Sequence, residues 1–438
     1  MWQLWVRLRT YLGEQMWIRP ALASLGSVVL VAIGLWFGRF YEGPLPIELS
    51  NEALKSLLSI FASSMLAVAT FSVSAVVTAV SFVSTSTTPR ASRLVMADST
   101  TQNVLSSFIA AFIYSIIGIL ALEAFAFHRV GRFIIFVGLV VIVTWVLIAF
   151  VRWIDHVTQL GRLETGIDKI SAVANDAIAA QNVGAWGAHI YDGGPPAAAT
   201  VVAANRVGYV TELNISGLQN LAERLDVAIY LTVRPGDFVD TKTPIGYLTP
   251  VSERVREDAC ELAEHVALGD RRVHGQDVRF GLLNLAETAD RALSPGINDP
   301  GTAIAILGRQ LEVLTRWAEV SQEPDVREVL YDRVFVPPLK AVEIVRDCFT
   351  PIARDGAAMV EVGIRLQKAL AALVRLDVPE LTEAALEMSD ESLVLSEHAL
   401  VVETQKARVR EAANEVHRLA KAASEAERNR CAEDGVNF

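Results

Sequence analysis

Residues 59–88 read SIFASSMLAVATFSVSAVVTAVSFVSTSTT, a stretch with no charged residue that is nevertheless rich in Ser and Thr. The stretch is longer than the roughly 20 apolar residues with which a helix crosses the hydrocarbon core of a bilayer. Because an α-helix turns about 100° per residue, its hydroxyls can be placed on a helical wheel. Within about 100° of arc lie Ser59, Ser63, Thr70, Ser74, Thr78, Ser81, Thr85 and Thr88. The stretch predicts a membrane-spanning helix with one hydroxyl-bearing face.

This helix is the second of four apolar runs, which cover about residues 21–40, 54–83, 104–127 and 133–153. Each run is long enough to span a bilayer. Lys and Arg are enriched near the span ends on the cytoplasmic side of a membrane. In this chain most of them lie on one side, at Arg7, Arg9, Arg19, Arg90, Arg93 and Arg152. We therefore expect a four-span transmembrane domain over residues 1–153, with both termini in the cytoplasm.

Charge divides the 438-residue chain into two unlike parts. Residues 1–153 contain ten Lys or Arg and six Asp or Glu, a charge of +4. Because the whole chain has a net charge of −11, residues 154–438 carry a charge of −15. An acidic domain concentrates cations near its surface, which weakly favours cations as partners and gives no reason to expect nucleic acid. Because the three cysteines, at 260, 348 and 431, are widely spaced, they predict neither a disulfide framework nor a metal site.

The acidic part is predicted to be α+β. Residues 154–198 are interpreted as a connecting helix and linker, since apolar residues recur at helical spacing before the Gly-Gly-Pro-Pro of 193–196. Residues 199–250 alternate in polarity around the turn sequence Arg-Pro-Gly-Asp at 234–237, which predicts a small β-rich module. The module lacks a carrier lysine at a hairpin tip, so no cofactor is expected. Residues 251–438 are predicted to form a helical cytoplasmic domain.

Two interpretations of the hydroxyl face differ in what it contacts. Small residues let neighbouring membrane helices approach closely, with each hydroxyl bonded to a carbonyl of its own helix. Alternatively, the face lines a water-filled pore, and hydroxyl oxygens replace part of an ion's hydration shell. One helix cannot enclose a pore, so the second interpretation requires a homo-oligomer.

Glu123 is the acidic residue that lies well inside a predicted span, near its outer end. A carboxylate at that depth can mark an ion path. It can also reach the interface by snorkelling, because the membrane surface is within about one helical turn. Both interpretations stay open at this point.

Residues 292–302 read ALSPGINDPGT and separate two helical patterns. Ser294 and Gly296 interrupt the first helix, while Asn298 and Asp299 precede the second. Asp299 suits an N-cap, and Pro300 suits the first helical position. The segment is predicted to be a rigid turn between helices. An anion or nucleotide-phosphate site at the helix N-terminus is the functional alternative, although Asp299 would compete for the same N–H donors.

These motifs carry a family resemblance. The segments Ala-Leu-Ser-Pro-Gly-Ile-Asn-Asp-Pro at 292–300 and Arg-Pro-Gly-Asp-Phe-Val at 234–239, behind a four-span N-terminal half, resemble a bacterial family of predicted membrane proteins known as domain of unknown function 2254. The resemblance implies an integral inner-membrane protein with a cytoplasmic domain. It implies no activity and no functional residues.

Sequence motifs of common enzymes are missing: the chain has no GxGxxG, GxxxxGK, GxSxG or HExxH. We therefore expect a non-enzymatic protein. The prediction is an oligomeric ion channel in which the second span lines the pathway and the cytoplasmic domain acts as vestibule or gate. The alternative is a membrane-anchored sensor or scaffold without conduction.

Overall fold

The computed structural model describes residues 18–37, 50–86, 99–124, 129–160, 163–180, 186–194, 196–251, 253–322 and 329–434. It divides into a membrane unit, formed by the helices up to Gly166, and a C-terminal unit that begins at Ile167. Each unit has its own core.

Four described helices form the membrane unit: α1 (Ile18–Phe37), α2 (Asn51–Ser86), α3 (Ser99–Ala124) and α4 (Arg129–Leu160). Three segments are long and apolar enough to cross a bilayer, namely Asn51–Ala79, Thr100–Ala124 and Arg129–Val157. The apolar segment of α1 is shorter, Ser24–Ile33. The structure thus supports three of the predicted spans by length and composition.

The close approach of α3 and α4 depends on a glycine. Tyr114 of α3 is 2% exposed, and its hydroxyl donates to the carbonyl of Ile135 at 2.9 Å. A Cβ placed on Gly138 of α4 would lie 2.3 Å from that hydroxyl oxygen. The missing side chain at Gly138 therefore makes room for the tyrosine that joins the two helices.

The C-terminal unit contains all but the first turn of α5 (Leu163–Ala180), which buries one apolar face. Two sheets follow. In the five-stranded sheet the order is β1 (Ala188–Ile190), β8 (Tyr331–Val336), β4 (Ala228–Leu231), β6 (Pro244–Thr249) and β2 (Thr200–Ala203). In the three-stranded sheet the order is β5 (Phe238–Val239), β3 (Gly208–Leu213) and β7 (Val266–Gly269).

Around the sheets lie α6 (Ile215–Leu225), α7 (Glu253–Asp258) and a 3₁₀ helix (Ala259–His265). The remaining helices are α8 (Val278–Leu293), α9 (Pro300–Gln322), α10 (Ala341–Asp355), α11 (Val360–Val374), α12 (Pro379–Ala399) and α13 (Glu403–Asp434). A buried polar network joins α11 to α12, because Gln367 donates to the Ser389 carbonyl and to the Ser392 hydroxyl at 3.0 and 2.9 Å.

Strand β8 corrects the predicted boundaries of the β-rich module. It lies inside the segment predicted to be helical, yet it pairs in parallel with both β1 and β4. Phe335 stacks on His189 and Tyr230, with ring centroids 4.9 and 4.4 Å apart. Residues 188–190, interpreted as linker, are therefore a strand, and β7 also falls beyond residue 250. Pairing between segments more than 100 residues apart leaves no local pattern to predict it.

We predict that Gly138→Ala destabilises the membrane unit by about 1–3 kcal/mol, because the added methyl overpacks the contact between α3 and α4. Thermal unfolding of the detergent-solubilised chain measures this effect. In the double variant Gly138→Ala/Tyr114→Phe the loss should be smaller than the sum of the single losses, because the clashing hydroxyl is gone.

Gly26→Ala is the matched control, since nothing lies within 4 Å of a Cβ at that position. Equal unfolding temperatures for the wild type and Gly138→Ala would contradict this account of the packing.

Candidate functional site

Helix α2 has a packed face and an exposed face. The packed face contains Leu54, Leu58, Ala62, Met65, Ala69, Ser72 and Val76, all at most 8% exposed. Five of them, Leu54, Leu58, Met65, Ala69 and Val76, belong to cores shared with α3 and α4. Leu58 lies against Gly118 of α3. Their spacing of three and four residues places them on one side of the helix.

The predicted hydroxyl face lies on the other side of α2, about 140° away on the helical wheel. Its described members are exposed in the monomer: Ser59, Ser63, Thr70, Ser74, Thr78 and Ser81. Thr85 belongs to α2, but its side chain and the whole of Thr88 lie outside the described residues. Within the described membrane unit, the hydroxyl face is therefore not a contact between helices of one chain.

Four of these hydroxyls donate to carbonyls of their own helix. Ser63 donates to Ile60 at 3.0 Å, Thr70 to Leu66 at 2.8 Å and Ser74 to Thr70 at 3.1 Å. The fourth, Thr78, donates to Ser74 at 2.9 Å. Since each proton is used along the helix, the oxygen lone pairs are what this face presents outward.

Glu123 forms an ion pair with Lys55, which links the end of α3 to the start of α2. Both side chains are about half exposed, 59% and 50%. Exposed pairs of this kind contribute on the order of 0–1 kcal/mol. This pairing gives Glu123 a structural partner, and its role in an ion path stays a prediction.

The segment around Ser294 forms a compact, exposed turn between α8 and α9. The backbone N–H of Asn298 donates to the Ser294 carbonyl at 2.8 Å, and Asn298 takes a left-handed conformation with φ +53°. Asp299 accepts from the Thr302 N–H at 3.1 Å and from the Thr302 hydroxyl at 2.7 Å. These bonds lower the pKa of Asp299. Asp299 is thus the N-cap of α9 and occupies a donor that an anion would need, while a Cβ on Gly296 would meet nothing within 4 Å.

The second sequence motif, Arg-Pro-Gly-Asp, forms a tight turn after β4. The N–H of Asp237 donates to the Arg234 carbonyl at 3.1 Å, and Gly236 has φ +101°. A Cβ on Gly236 would lie 2.5 Å from a carboxylate oxygen of Asp277. Glycine is required here by the backbone conformation and by the close approach of the N-cap of α8.

The sequence comparison agrees with this arrangement, since both motifs and the membrane helices lie inside one family match. The model of the family described as "Predicted membrane protein (DUF2254)" matches residues 13–372. The chain belongs to this family. Its relatives include the uncharacterized proteins Mb1321c of Mycobacterium bovis and Rv1290c of Mycobacterium tuberculosis, each 25% identical over 334 residues.

These alignments cover 72% of the chain and 63% of each relative, so the chain spans less than two thirds of the mycobacterial proteins' length. No solved structure matches the chain. Membership of the DUF2254 family thus identifies the chain as a predicted membrane protein.

A small polar cleft of about 190 Å³ lies beside the Arg-Pro-Gly-Asp turn. Burial lowers the pKa of Arg234 to about 10, although neighbouring carboxylates oppose this shift. The charged residues that line the cleft are Arg234, Asp237, Asp277, Arg279, Lys340 and Glu343. Because positive and negative groups are equal in number, the cleft selects neither anions nor cations, and we interpret it as a structural junction.

Next to this cleft, Asp277 caps α8 and holds Arg272 in a two-point ion pair, with N–O distances of 2.7 and 2.8 Å. His274 packs on Phe280, with ring centroids 4.5 Å apart. Burial, together with the Arg272 cation, lowers the pKa of His274 to about 4. No sequence motif predicts a role for Arg272, His274 or Asp277, although an Asp before an apolar helical pattern is an N-cap signal.

We predict that Asp299→Ala destabilises the C-terminal unit by about 0.5–2 kcal/mol, the usual value of an N-cap. Asp299→Asn should lose less, because its amide oxygen can still accept from Thr302. Thermal unfolding measures both variants, with Gly296→Ala as the control without contacts. If millimolar inorganic phosphate stabilised the wild type, and stabilised Asp299→Ala at least as much because the Thr302 N–H is then free, the anion-site interpretation would replace the cap.

The buried histidine should make stability depend on pH. Its folded pKa of about 4 lies below the ordinary value of 6.5, so the neutral form is favoured in the folded state. As the pH falls from 6.5 to 4, the unfolded chain gains a proton that folded His274 does not, and stability falls by at most about 3 kcal/mol.

In His274→Gln this part of the pH dependence should be missing. Denaturant unfolding of both proteins between pH 7 and pH 4 provides the measurement. Parallel stability curves for the two proteins would show that His274 is not the titrating group.

Proposed function

We propose that the protein is a homo-oligomeric ion channel of the bacterial inner membrane, with the hydroxyl face of α2 lining the pathway. The observation that carries this proposal is the opposition of the two faces of α2. Leu58 and Met65 point into the chain's own core, whereas Thr70, Ser74 and Thr78 are exposed. In a ring of subunits, the exposed face is available to enclose water.

In this proposal α1 also crosses the bilayer, which brings the number of spans to four. Both termini then lie in the cytoplasm. The short apolar segment of α1 crosses the bilayer together with its flanking turns, and its side chain Val31 is 2% exposed within a core that includes Leu54 and Tyr114. The acidic C-terminal unit then lies at the cytoplasmic mouth as vestibule or gate, where its negative charge would raise the local concentration of cations.

The chemistry of the exposed face favours cations. The hydroxyls of Ser63, Thr70, Ser74 and Thr78 donate along the helix, so their oxygens are the groups left to face an ion. Oxygen lone pairs stabilise a partly dehydrated cation, whereas an anion requires donors. No acidic or basic side chain lies on this face between residues 59 and 81, which suits weak binding and rapid passage.

The length of α2 also supports a pathway that extends beyond the bilayer. The helix has 36 residues, which correspond to about 54 Å at a rise of 1.5 Å per residue. The hydrocarbon core is about 30 Å thick. One end of each α2 would therefore project from the membrane and continue the lining as a vestibule.

We predict that Thr78→Leu lowers cation flux through reconstituted liposomes, because each subunit then adds a bulky apolar group to the lumen and favours dewetting. Thr78→Val, which keeps the shape and removes the hydroxyl, should lower the flux less. The control is Val73→Leu, an exposed position on the same helix about 140° away, which should leave flux unchanged.

Size-exclusion chromatography of each variant separates a blocked pore from a broken assembly. An intact Thr78→Leu oligomer with reduced flux supports the channel. Wild-type liposomes without flux of monovalent ions, at varied voltage and pH, would favour the membrane-anchored sensor or scaffold. A Thr78→Leu oligomer that dissociates would show instead that the hydroxyl face packs between subunits.

A further inference from the structure

A large groove opens on the membrane unit away from the hydroxyl face. Its volume is about 930 Å³, and none of the residues that line it belongs to α2. One wall is the first half of α1, with Leu22 and Gly26. The opposite wall is the second half of α4, with Trp145 and Ile148, and the floor is α3.

Small side chains create the groove. Gly26 has no atom within 4 Å of an added Cβ, and Ser27 donates to the Ala110 carbonyl of α3 at 3.0 Å. On the opposite wall, the indole N–H of Trp145 donates to the Ser107 hydroxyl at 3.0 Å. This bond holds an aromatic wall in place while 61% of the Trp145 side chain stays exposed.

The length of the groove matches one leaflet of a bilayer. Along α4 its lining runs from Ile142 to Arg152, about 15 Å at 1.5 Å per residue. This is half of the roughly 30 Å hydrocarbon core. A membrane-spanning helix of a second copy would be twice as long, whereas the acyl chains of one leaflet fit this length.

Polar groups are concentrated at one end of the groove. Arg152 lies there together with Thr100 and Asn103 at the start of α3. Arg152 is exposed, and it is the one charged residue among those that line the groove. No carboxylate of the described residues forms an ion pair with it. The groove therefore joins an apolar channel to a cation and two neutral polar side chains, which is complementary to a phosphate headgroup above acyl chains.

We propose that this groove binds one anionic phospholipid, with its acyl chains between α1 and α4 and its headgroup phosphate at Arg152. This site is separate from the proposed pore, because no residue of α2 lines it. Lipid binding can therefore be tested whether or not the protein conducts ions.

The test uses the full chain in nanodiscs made from equal amounts of phosphatidylcholine and phosphatidylglycerol. Native mass spectrometry then counts the lipids that each chain retains after release. The wild type should retain phosphatidylglycerol in preference to phosphatidylcholine. Arg152→Gln should reduce this preference roughly tenfold, the effect of losing one charge-assisted hydrogen bond. Arg129→Gln, at the other end of α4, is the matched control and should keep the preference.

A second variant tests the acyl part of the site. Ile148→Trp narrows the groove from its exposed wall and should reduce retention of both lipids, with the size-exclusion profile showing that the protein is folded. Equal retention of both lipids by the wild type would overturn the proposal, and so would an unchanged preference in Arg152→Gln. A disulfide between two Trp145→Cys chains would also overturn it, because a second copy would then cover the groove.

Discussion

The packing of α2 through a single face is the constraint on which the rest of the membrane unit depends. In hydrocarbon, water cannot satisfy polar groups, so a hydroxyl must bond within its own helix or meet a polar environment. Leu54, Leu58 and Met65 of α2 pack into the chain's own core. The hydroxyl face on the other side of the helix is therefore left exposed. Because these hydroxyls donate to carbonyls of their own helix, exposing the face costs little free energy. What the face contacts then depends on how the chains assemble.

A different constraint holds the C-terminal unit together. Strand β8 enters the sheet between β1 and β4, so the sheet is complete only when residues 331–336 pair with two strands that lie more than 100 residues earlier in the chain. The two family motifs are turns in the same unit. Gly236 lets the Arg-Pro-Gly-Asp turn approach the N-cap of α8, and Asp299 starts α9. The second motif therefore fixes where α9 begins, whereas the Arg-Pro-Gly-Asp turn packs against Asp277, the residue that caps α8.

The two proposals assign different ligands to the two faces of the membrane unit. The hydroxyl face of α2 is polar without charge, which suits transient contact with ions. The groove between α1 and α4 is apolar with a single cation at its end, which suits a lipid that stays bound. A lipid held by Trp145 and Arg152 would fill a gap between helices, so it would also stabilise the arrangement of α1 against α4.

Local patterns in the sequence were sufficient for the apolar helices, the hydroxyl face and the cap at Asp299, because helical periodicity and capping depend on residues within a few positions. Residues 188–190 and β8 were misassigned, because strand pairing over long separations has no local signature. The sequence also left open whether the hydroxyls of α2 face a neighbouring helix. Only the tertiary structure decided that they do not do so within one chain, since the exposed side of a helix depends on which of its faces the other helices bury.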